Sequence, residues 1–233
     1  NSQARCSYVP LSSKNLLQKI YNLMNIIIKK KLNFQNKNDL KKLTLHDLQK
    51  IEKDLRKKYQ KKIFLILKKD LDKCILNTFG ENFKNYRIGV QIKYKWNEND
   101  IKKRSKIFFS KDGLWYESKN KPNICFPTRP HQDLSNNGFR SSSVVIFYIP
   151  LTPYFVESSI MQIAKFKKKH GLYKMDNRFG YPNEITHKTV KNLKWITPNS
   201  LKPGNIFLMD SLTLHKSSEI SQVPRIALNV KIQ

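Results

Sequence analysis

The spacing of apolar residues changes once along this chain, near residue 85, and this change limits the folds that the chain can adopt. Before it, apolar residues recur every three or four positions, as on one face of a helix. After it, they alternate with polar residues, as in strands. We therefore predict an α+β protein, with a mainly helical part at 1–80 and a β-rich part at 84–233. A chain of 233 residues suits a single domain, 1–233.

The helical part contains two signals for the start of a helix. Ser12 or Ser13 can cap a first helix. Thr44, followed three residues later by Asp47, forms a variant of the capping box. No glycine or proline interrupts the chain between Thr44 and Gly80, so this segment predicts one long helix or two abutting helices.

The β-rich part begins with a strand from Tyr86, in which Gln91 and Lys93 share the polar face and Tyr94 lies on the apolar face. A hairpin is predicted around the turn-rich segment 110–113. Further strands are predicted at Ser143–Pro150, at Pro203–Asp210 and in a final alternating run, because each combines apolar residues with Gly or Pro punctuation. The final run, Arg225–Ile232, places Arg225, Ala227 and Asn229 on one face.

His131 and Asp133 form an H-x-D motif in the sequence Arg129–Asp133. On extended chain, residues two apart point to the same side, so the imidazole and the carboxylate can share a metal ion. Two histidines and one carboxylate on one face of an octahedral ion are the ligand set of non-haem Fe(II) oxygenases. His215 follows the predicted strand at Pro203–Asp210 and is the candidate third ligand.

Taken together, these motifs resemble the Fe(II)/2-oxoglutarate-dependent dioxygenases, and more narrowly their phytanoyl-CoA dioxygenase-like branch. The resemblance covers roughly residues 84–232. It depends on the order of the H-x-D motif, the strand at Ser143–Pro150, the segment Gly204–His215 and the strand Arg225–Val230, which begins ten residues after His215.

The resemblance implies a double-stranded β-helix, or jelly roll, in which His131, Asp133 and His215 hold Fe(II). It also implies that Arg225 pairs with the distal carboxylate of 2-oxoglutarate. The implied reaction consumes O2, releases succinate and CO2 and hydroxylates a small-molecule or carrier-linked substrate. Because Asp133 is present, the resemblance favours hydroxylation over halogenation.

The chain departs from the family at Ala227, since the family often has a hydroxyl residue two positions after the arginine. In the family an early strand lines the co-substrate pocket. Gln91 or Lys93 could therefore contribute if the pocket lies on the polar face of the first strand, and Tyr94 if it lies on the other face.

The formal net charge of +28 would ordinarily suggest a nucleic acid or another polyanion as partner. Lysine outnumbers arginine 37 to 8, whereas bidentate phosphate recognition favours arginine. A compositional bias of the source genome explains the charge at least as well, and we regard a nucleic-acid partner as the weaker interpretation. Lys165 and Lys167–Lys169 could favour an anionic substrate, although the general abundance of lysine also accounts for them.

Two other functions remain open at this point. A cupin-type isomerase would need the metal ligands but not Arg225, and a polyanion-binding module would need neither. The three cysteines form no disulfide or metal pattern, which favours a cytoplasmic location. No apolar run approaches the roughly 20 residues of a membrane span. The sequence does not indicate an oligomeric state.

Overall fold

The computed structural model describes residues 6–79, 86–93, 130–133, 145–158, 160–165, 173, 185, 190–217 and 222–232. Its elements, in chain order, are β1 (Cys6–Pro10), α1 (Lys14–Ile28), α2 (Lys37–Lys41), α3 (Leu45–Lys57), α4 (Gln60–Phe79), β2 (Tyr86–Lys93), β3 (Val145–Pro150), β4 (Met161–Lys165), β5 (Lys194–Ile196), β6 (Asn205–Asp210), β7 (His215–Ser217) and β8 (Arg225–Ile232). The predicted hairpin at 107–116 lies outside the described residues, as does Tyr94.

Two helices, α1 and α3, begin at predicted capping residues, whereas the short helix α2 was not predicted. The Ser13 side chain accepts a hydrogen bond from the Asn15 backbone N–H at the start of α1. At the start of α3, Thr44 and Asp47 make both reciprocal bonds of the capping box. The predicted helical segment from Thr44 onward is divided into two abutting helices, α3 and α4, with the break after Lys57. None of the described helices is long and apolar enough to cross a membrane.

Five strands form an antiparallel sheet in the order β1-β6-β3-β8-β2. β1 lies at its edge and was not predicted, because we assigned residues 1–80 mainly to helices. Its position comes from backbone pairing with β6, in register from Cys6 opposite Met209 to Pro10 opposite Asn205. Just after β1, the Asp70 carboxylate of α4 accepts the Ser12 backbone N–H at 3.1 and 3.2 Å.

The two faces of the five-stranded sheet have different partners. Ile226, Leu228 and Val230 of β8 belong to a core shared with α1, α3 and α4. Each fully buried aliphatic side chain of this kind stabilises the fold by about 1.5–3 kcal/mol. Residues in alternate positions of the same strand, including Ala227, face the opposite way, toward the second sheet.

The second sheet has three antiparallel strands in the order β5-β4-β7. Its inner face contributes Met161 and Ile163 to a smaller core that also contains Tyr148 and Phe207 of the larger sheet. The space between the two sheets is therefore partly filled by apolar side chains. The rest of this space holds buried polar residues, among them His215 and Arg225. The assignment of the chain to a single domain stays a prediction.

Candidate metal and co-substrate site

The structure brings His131, Asp133 and His215 together. The backbone N–H of His131 donates to the His215 carbonyl at 3.0 Å, and the N–H of His215 donates to the His131 carbonyl at 3.1 Å. This antiparallel bridge places the H-x-D segment beside β7. One potential ligand atom from each of the three buried side chains lies within 4.8 Å of the other two. This spacing suits a single shared ion.

The residue between the two motif positions fixes this arrangement. Gln132 is 1% exposed, and its Nε2 donates to the Leu212 carbonyl at 2.7 Å, while its Oε1 accepts the Tyr173 N–H at 2.8 Å. Gln132 was not predicted as a site residue, because its partner Leu212 is 80 residues away. On the other side, Asp210 Oδ1 accepts bonds from the Leu212 N–H and the Thr213 hydroxyl, both at 3.0 Å, and so holds the turn before His215.

A backbone contact fixes the tautomer of His215. Its Nδ1 lies 2.9 Å from the Thr213 carbonyl, which can only accept, so Nδ1 carries the proton and donates. In the neutral ring Nε2 then has the lone pair, and this atom lies 3.8 Å from Asp133 Oδ2. A backbone carbonyl on the far nitrogen of a histidine is the usual support of a metal ligand.

The two oxygens of Asp133 have different surroundings. Oδ1 accepts a hydrogen bond from Lys231 Nζ at 3.1 Å, whereas the buried Oδ2 has no hydrogen-bond partner. Burial opposes the charged form, but His215, Lys231 and His131 outweigh it and hold the pKa of Asp133 below its ordinary value. The group is therefore a carboxylate at neutral pH. A buried anionic oxygen without a partner is costly, and a metal ion would satisfy it.

Arg225 is also buried and only partly satisfied. It is 1% exposed, and its Nη2 lies 3.4 Å from the Ser217 hydroxyl, while Nε and Nη1 have no partner. The guanidinium carbon lies 6.0 Å from the centre of the Tyr148 ring, within cation–π range. Each unpaired donor can join Nη2 in one of the two parallel pairs by which a guanidinium binds a carboxylate.

Tyr154 adds a further hydroxyl at this end of the site. Burial raises the pKa of Tyr154 well above its ordinary value, and its hydroxyl lies 3.5 Å from that of Tyr148. The group therefore stays protonated, and it can donate to an anion held by Arg225.

The strand register shows which face of β2 borders this region. Gln91 pairs with Ala227, and Lys93 pairs with Arg225. Directly opposed residues of an antiparallel pair share a face, so Gln91 and Lys93 lie on the side of Arg225. Lys93 is buried, with 7% exposed.

The Ser217 hydroxyl lies beside Arg225. Ala227, two positions after the arginine, has no hydroxyl to place there. Ser217 was not predicted as a site residue, although its spacing from His215 is a signal in the sequence. It follows His215 by two positions on a strand and so shares its face.

Of the four lysines that could favour an anionic substrate, the structure describes Lys165, which is the last residue of β4 and is exposed. The other three, Lys167–Lys169, lie outside the described residues.

No protein-family model matches this sequence, and no curated protein resembles it significantly in sequence. Solved structures of non-haem 2-oxoglutarate-dependent enzymes do resemble it in fold. The epimerase SnoN in complex with Fe3+, alpha ketoglutarate and nogalamycin RO has a TM-score of 0.55 at 10% identity, covering 99% of this chain and 79% of SnoN.

Two further structures show the same likeness. The alpha ketoglutarate-dependent carbocyclase SnoK from nogalamycin biosynthesis has a TM-score of 0.54 at 12% identity, covering 98% of this chain and 79% of SnoK. EctD from S. alaskensis, with 2-oxoglutarate and 5-hydroxyectoine, has a TM-score of 0.54 at 10% identity, covering 98% of this chain and 72% of EctD. At these identities the likeness shows a shared fold of helices and antiparallel sheets.

Proposed function

We propose that this protein is an Fe(II)- and 2-oxoglutarate-dependent dioxygenase that hydroxylates a small-molecule or carrier-linked substrate. One observation carries the proposal: two buried groups of opposite charge have unpartnered atoms in the same inter-sheet region. These are Asp133 Oδ2 on one side and Arg225 Nε and Nη1 on the other. A metal ion would satisfy the first, and the distal carboxylate of 2-oxoglutarate would satisfy the second.

The ligand residues fit Fe(II). His131 and His215 would bind it through neutral imidazole nitrogens, and Asp133 through its charged oxygen. When bound, the iron would supply oxidative chemistry on O2, coupled to decarboxylation of 2-oxoglutarate to succinate and CO2. The protein's own residues orient the ligands, hold the co-substrate and keep water away from the buried centre.

The co-substrate end fits a dianion. Arg225 would pair with the distal carboxylate, and Ser217 would replace the hydroxyl that the sequence lacks at Ala227. Lys93 and Gln91, on the same face, are the candidates from β2, and Tyr94 is a weaker one because Ile88 and Ile92 of the alternate face pack against the helical layer.

We also propose that the chain belongs to the phytanoyl-CoA dioxygenase-like branch and has a jelly-roll core. The support is the motif order together with the two facing antiparallel sheets. Hydroxylation is the proposed outcome because the carboxylate ligand Asp133 is present.

Among the alternatives, a cupin-type isomerase is disfavoured by Arg225. Burying a guanidinium with unpaired donors costs free energy, and a metal-only enzyme gains nothing from it. A polyanion-binding module would in turn leave the convergence of His131, Asp133 and His215 without a purpose.

Thermal unfolding tests the proposal directly. A ligand that binds only the folded state stabilises it by about 2.7 kcal/mol at 100 times its Kd, which is roughly 5–10 °C for a chain of this size. We expect Mn(II), as a redox-inert substitute for iron, to raise the Tm. We expect 2-oxoglutarate to raise it further only when metal is present. Glutarate, which lacks the 2-oxo group that chelates the metal, should add much less. Folded protein with no shift under saturating metal and 2-oxoglutarate would contradict the proposal.

Replacing Ser217 by alanine tests its role beside Arg225. A net hydrogen bond is worth about 0.5–1.5 kcal/mol, so we expect 2-oxoglutarate to bind about two- to tenfold more weakly. The affinity for Mn(II) alone should not change. Calorimetric titration of Mn(II)-loaded protein measures both quantities, with Ser200→Ala as a control that loses a hydroxyl elsewhere. Equal 2-oxoglutarate affinity in wild type and Ser217→Ala would remove Ser217 from the co-substrate site.

A further inference from the structure

Lys231 reaches the candidate metal site from the far end of β8. It lies six residues after Arg225, and the strand alternation places both side chains on the face toward the second sheet. Its Nζ is 3.1 Å from Asp133 Oδ1, and the two side chains are 16% and 7% exposed. A mostly buried ammonium group therefore contacts the proposed carboxylate ligand directly.

A cation in this position is unfavourable for metal binding in one respect. Its positive charge repels a divalent ion, and an interaction at this depth is only weakly screened. A lysine that merely neutralised Asp133 would compete with the metal for that carboxylate. The contact is compatible with a metal site only if the two cations use different oxygens. The geometry has this property, because Lys231 is on Oδ1 and the unpartnered Oδ2 is the oxygen that faces His215.

The distinction between the oxygens has a consequence for coordination. The terminal torsion of an aspartate is broad and nearly two-fold, so a free carboxylate can turn and offer both oxygens to a metal. Three single-atom ligands on an octahedral ion leave three positions open, whereas a bidentate aspartate leaves two. A two-atom chelating co-substrate would then take every remaining position.

We propose that Lys231 is a positioning residue that occupies Asp133 Oδ1, so that Asp133 binds the metal through Oδ2 alone. This inference rests on the proposed function. Lys231 keeps a third coordination position open beside the two that the co-substrate takes, without touching the co-substrate itself.

The test uses Co(II), whose visible absorption reports its coordination number. The variants are Lys231→Met, which removes the charge and keeps the length, and Lys231→Arg, which restores a cationic donor. Lys194→Met is the control for loss of a lysine on an exposed strand position. For each protein, Co(II) affinity and spectrum are measured first without 2-oxoglutarate, and 2-oxoglutarate affinity is measured second.

In Lys231→Met we expect the Co(II) spectrum to change before any 2-oxoglutarate is added, because Oδ1 is free to join the coordination. We expect Co(II) affinity to be equal or tighter, since a repelling charge is gone. The 2-oxoglutarate affinity should stay near that of wild type, because a two-oxygen Asp133 still leaves the two positions that a two-atom chelator takes. Lys231→Arg should resemble wild type in all three measurements.

Several results would overturn this inference. If the Co(II) spectrum of Lys231→Met is unchanged and its affinity for 2-oxoglutarate is lower, Lys231 binds the co-substrate. Parallel loss of Co(II) affinity, 2-oxoglutarate affinity and Tm would mean a purely structural ion pair. If Lys231→Met does not fold, infrared difference spectra of wild type with and without metal decide the question. The separation of the carboxylate stretches should then be that of a one-oxygen ligand, and a two-oxygen pattern would refute the inference. Wild type that binds no Co(II) at all would refute the proposed function instead.

Discussion

Asp133→Ala is expected to abolish metal binding at the inter-sheet site and, with it, all iron-dependent consumption of 2-oxoglutarate. Asp133 is the one charged member of the candidate ligand set, and its unpartnered Oδ2 is the atom that needs a cation. Loss of a supporting residue around a metal typically costs 10- to 100-fold in affinity, so loss of the charged ligand itself should cost more than about 100-fold. Metal content after equilibration with Fe(II) or Mn(II) measures this, together with succinate release.

The matched control is Asp72→Ala, which removes a half-exposed carboxylate of α4 that pairs with Lys68. It should keep full metal content. Asp133→Ala also removes the carboxylate that Lys231 contacts, which destabilises a mostly buried cation. If that variant unfolds, combining Asp133→Ala with Lys231→Met removes this cation, and metal content can be measured on the folded double variant. Full metal content in either folded protein would show that Asp133 is not a ligand.

The parts of this site that follow from the sequence are those encoded over a few residues. The H-x-D motif supplies two neighbouring candidate ligand side chains, although the predicted extended chain is wrong at Asp133, which lies in a 3₁₀ turn after the bridge at His131. Alternation from Arg225 to Ile232 puts Arg225 and Ala227 on one face. The structure agrees with that alternation, because Ile226 packs toward the helices and Ala227 toward the second sheet. The roles of these residues stay predictions.

The parts that escaped prediction depend on pairings between distant segments. Lys231 and Asp133 are 98 residues apart, and one lysine among 37 carries no local signal. Gln132 gains its importance only when it meets Leu212. The edge strand β1 is likewise defined by its partner β6, since five residues of mixed polarity show no clear periodicity.

The positively charged side chains on the surface of the protein have to be considered separately from those in its interior. Most lysines of the described helices are exposed, and they tell little about function. Three cations on β2 and β8 are at least mostly buried and share one face of the larger sheet: Lys93, Arg225 and Lys231. Buried cations need anions. Lys231 has Asp133, whereas Nε and Nη1 of Arg225 have no hydrogen-bond partner, so the support for an anionic ligand comes from Arg225 and not from the overall charge of +28.

Arg225→Met should fail in a different way from Asp133→Ala. Methionine retains much of the buried volume but removes the charge and all five donors. Metal binding should stay close to normal, because the contacts of Arg225 are with Ser217, Tyr148 and Tyr154. Truncating one partner of a buried charge-assisted pair costs roughly 2–5 kcal/mol, so 2-oxoglutarate should bind about 30- to 5,000-fold more weakly.

Titration of Mn(II)-loaded protein with 2-oxoglutarate measures the effect of Arg225→Met, and Arg56→Met is the matched control. Arg56 lies on α3, where it pairs with Glu52, and its side chain is 44% exposed. Replacing it removes the same charge without entering the inter-sheet region. Arg225→Lys should recover only part of the affinity, because an ammonium group cannot form the bidentate pair that the guanidinium allows. Normal 2-oxoglutarate binding in folded Arg225→Met would mean that the unpaired donors of Arg225 serve another ligand. Loss of Mn(II) in the same protein would mean that Arg225 supports the metal centre rather than the co-substrate.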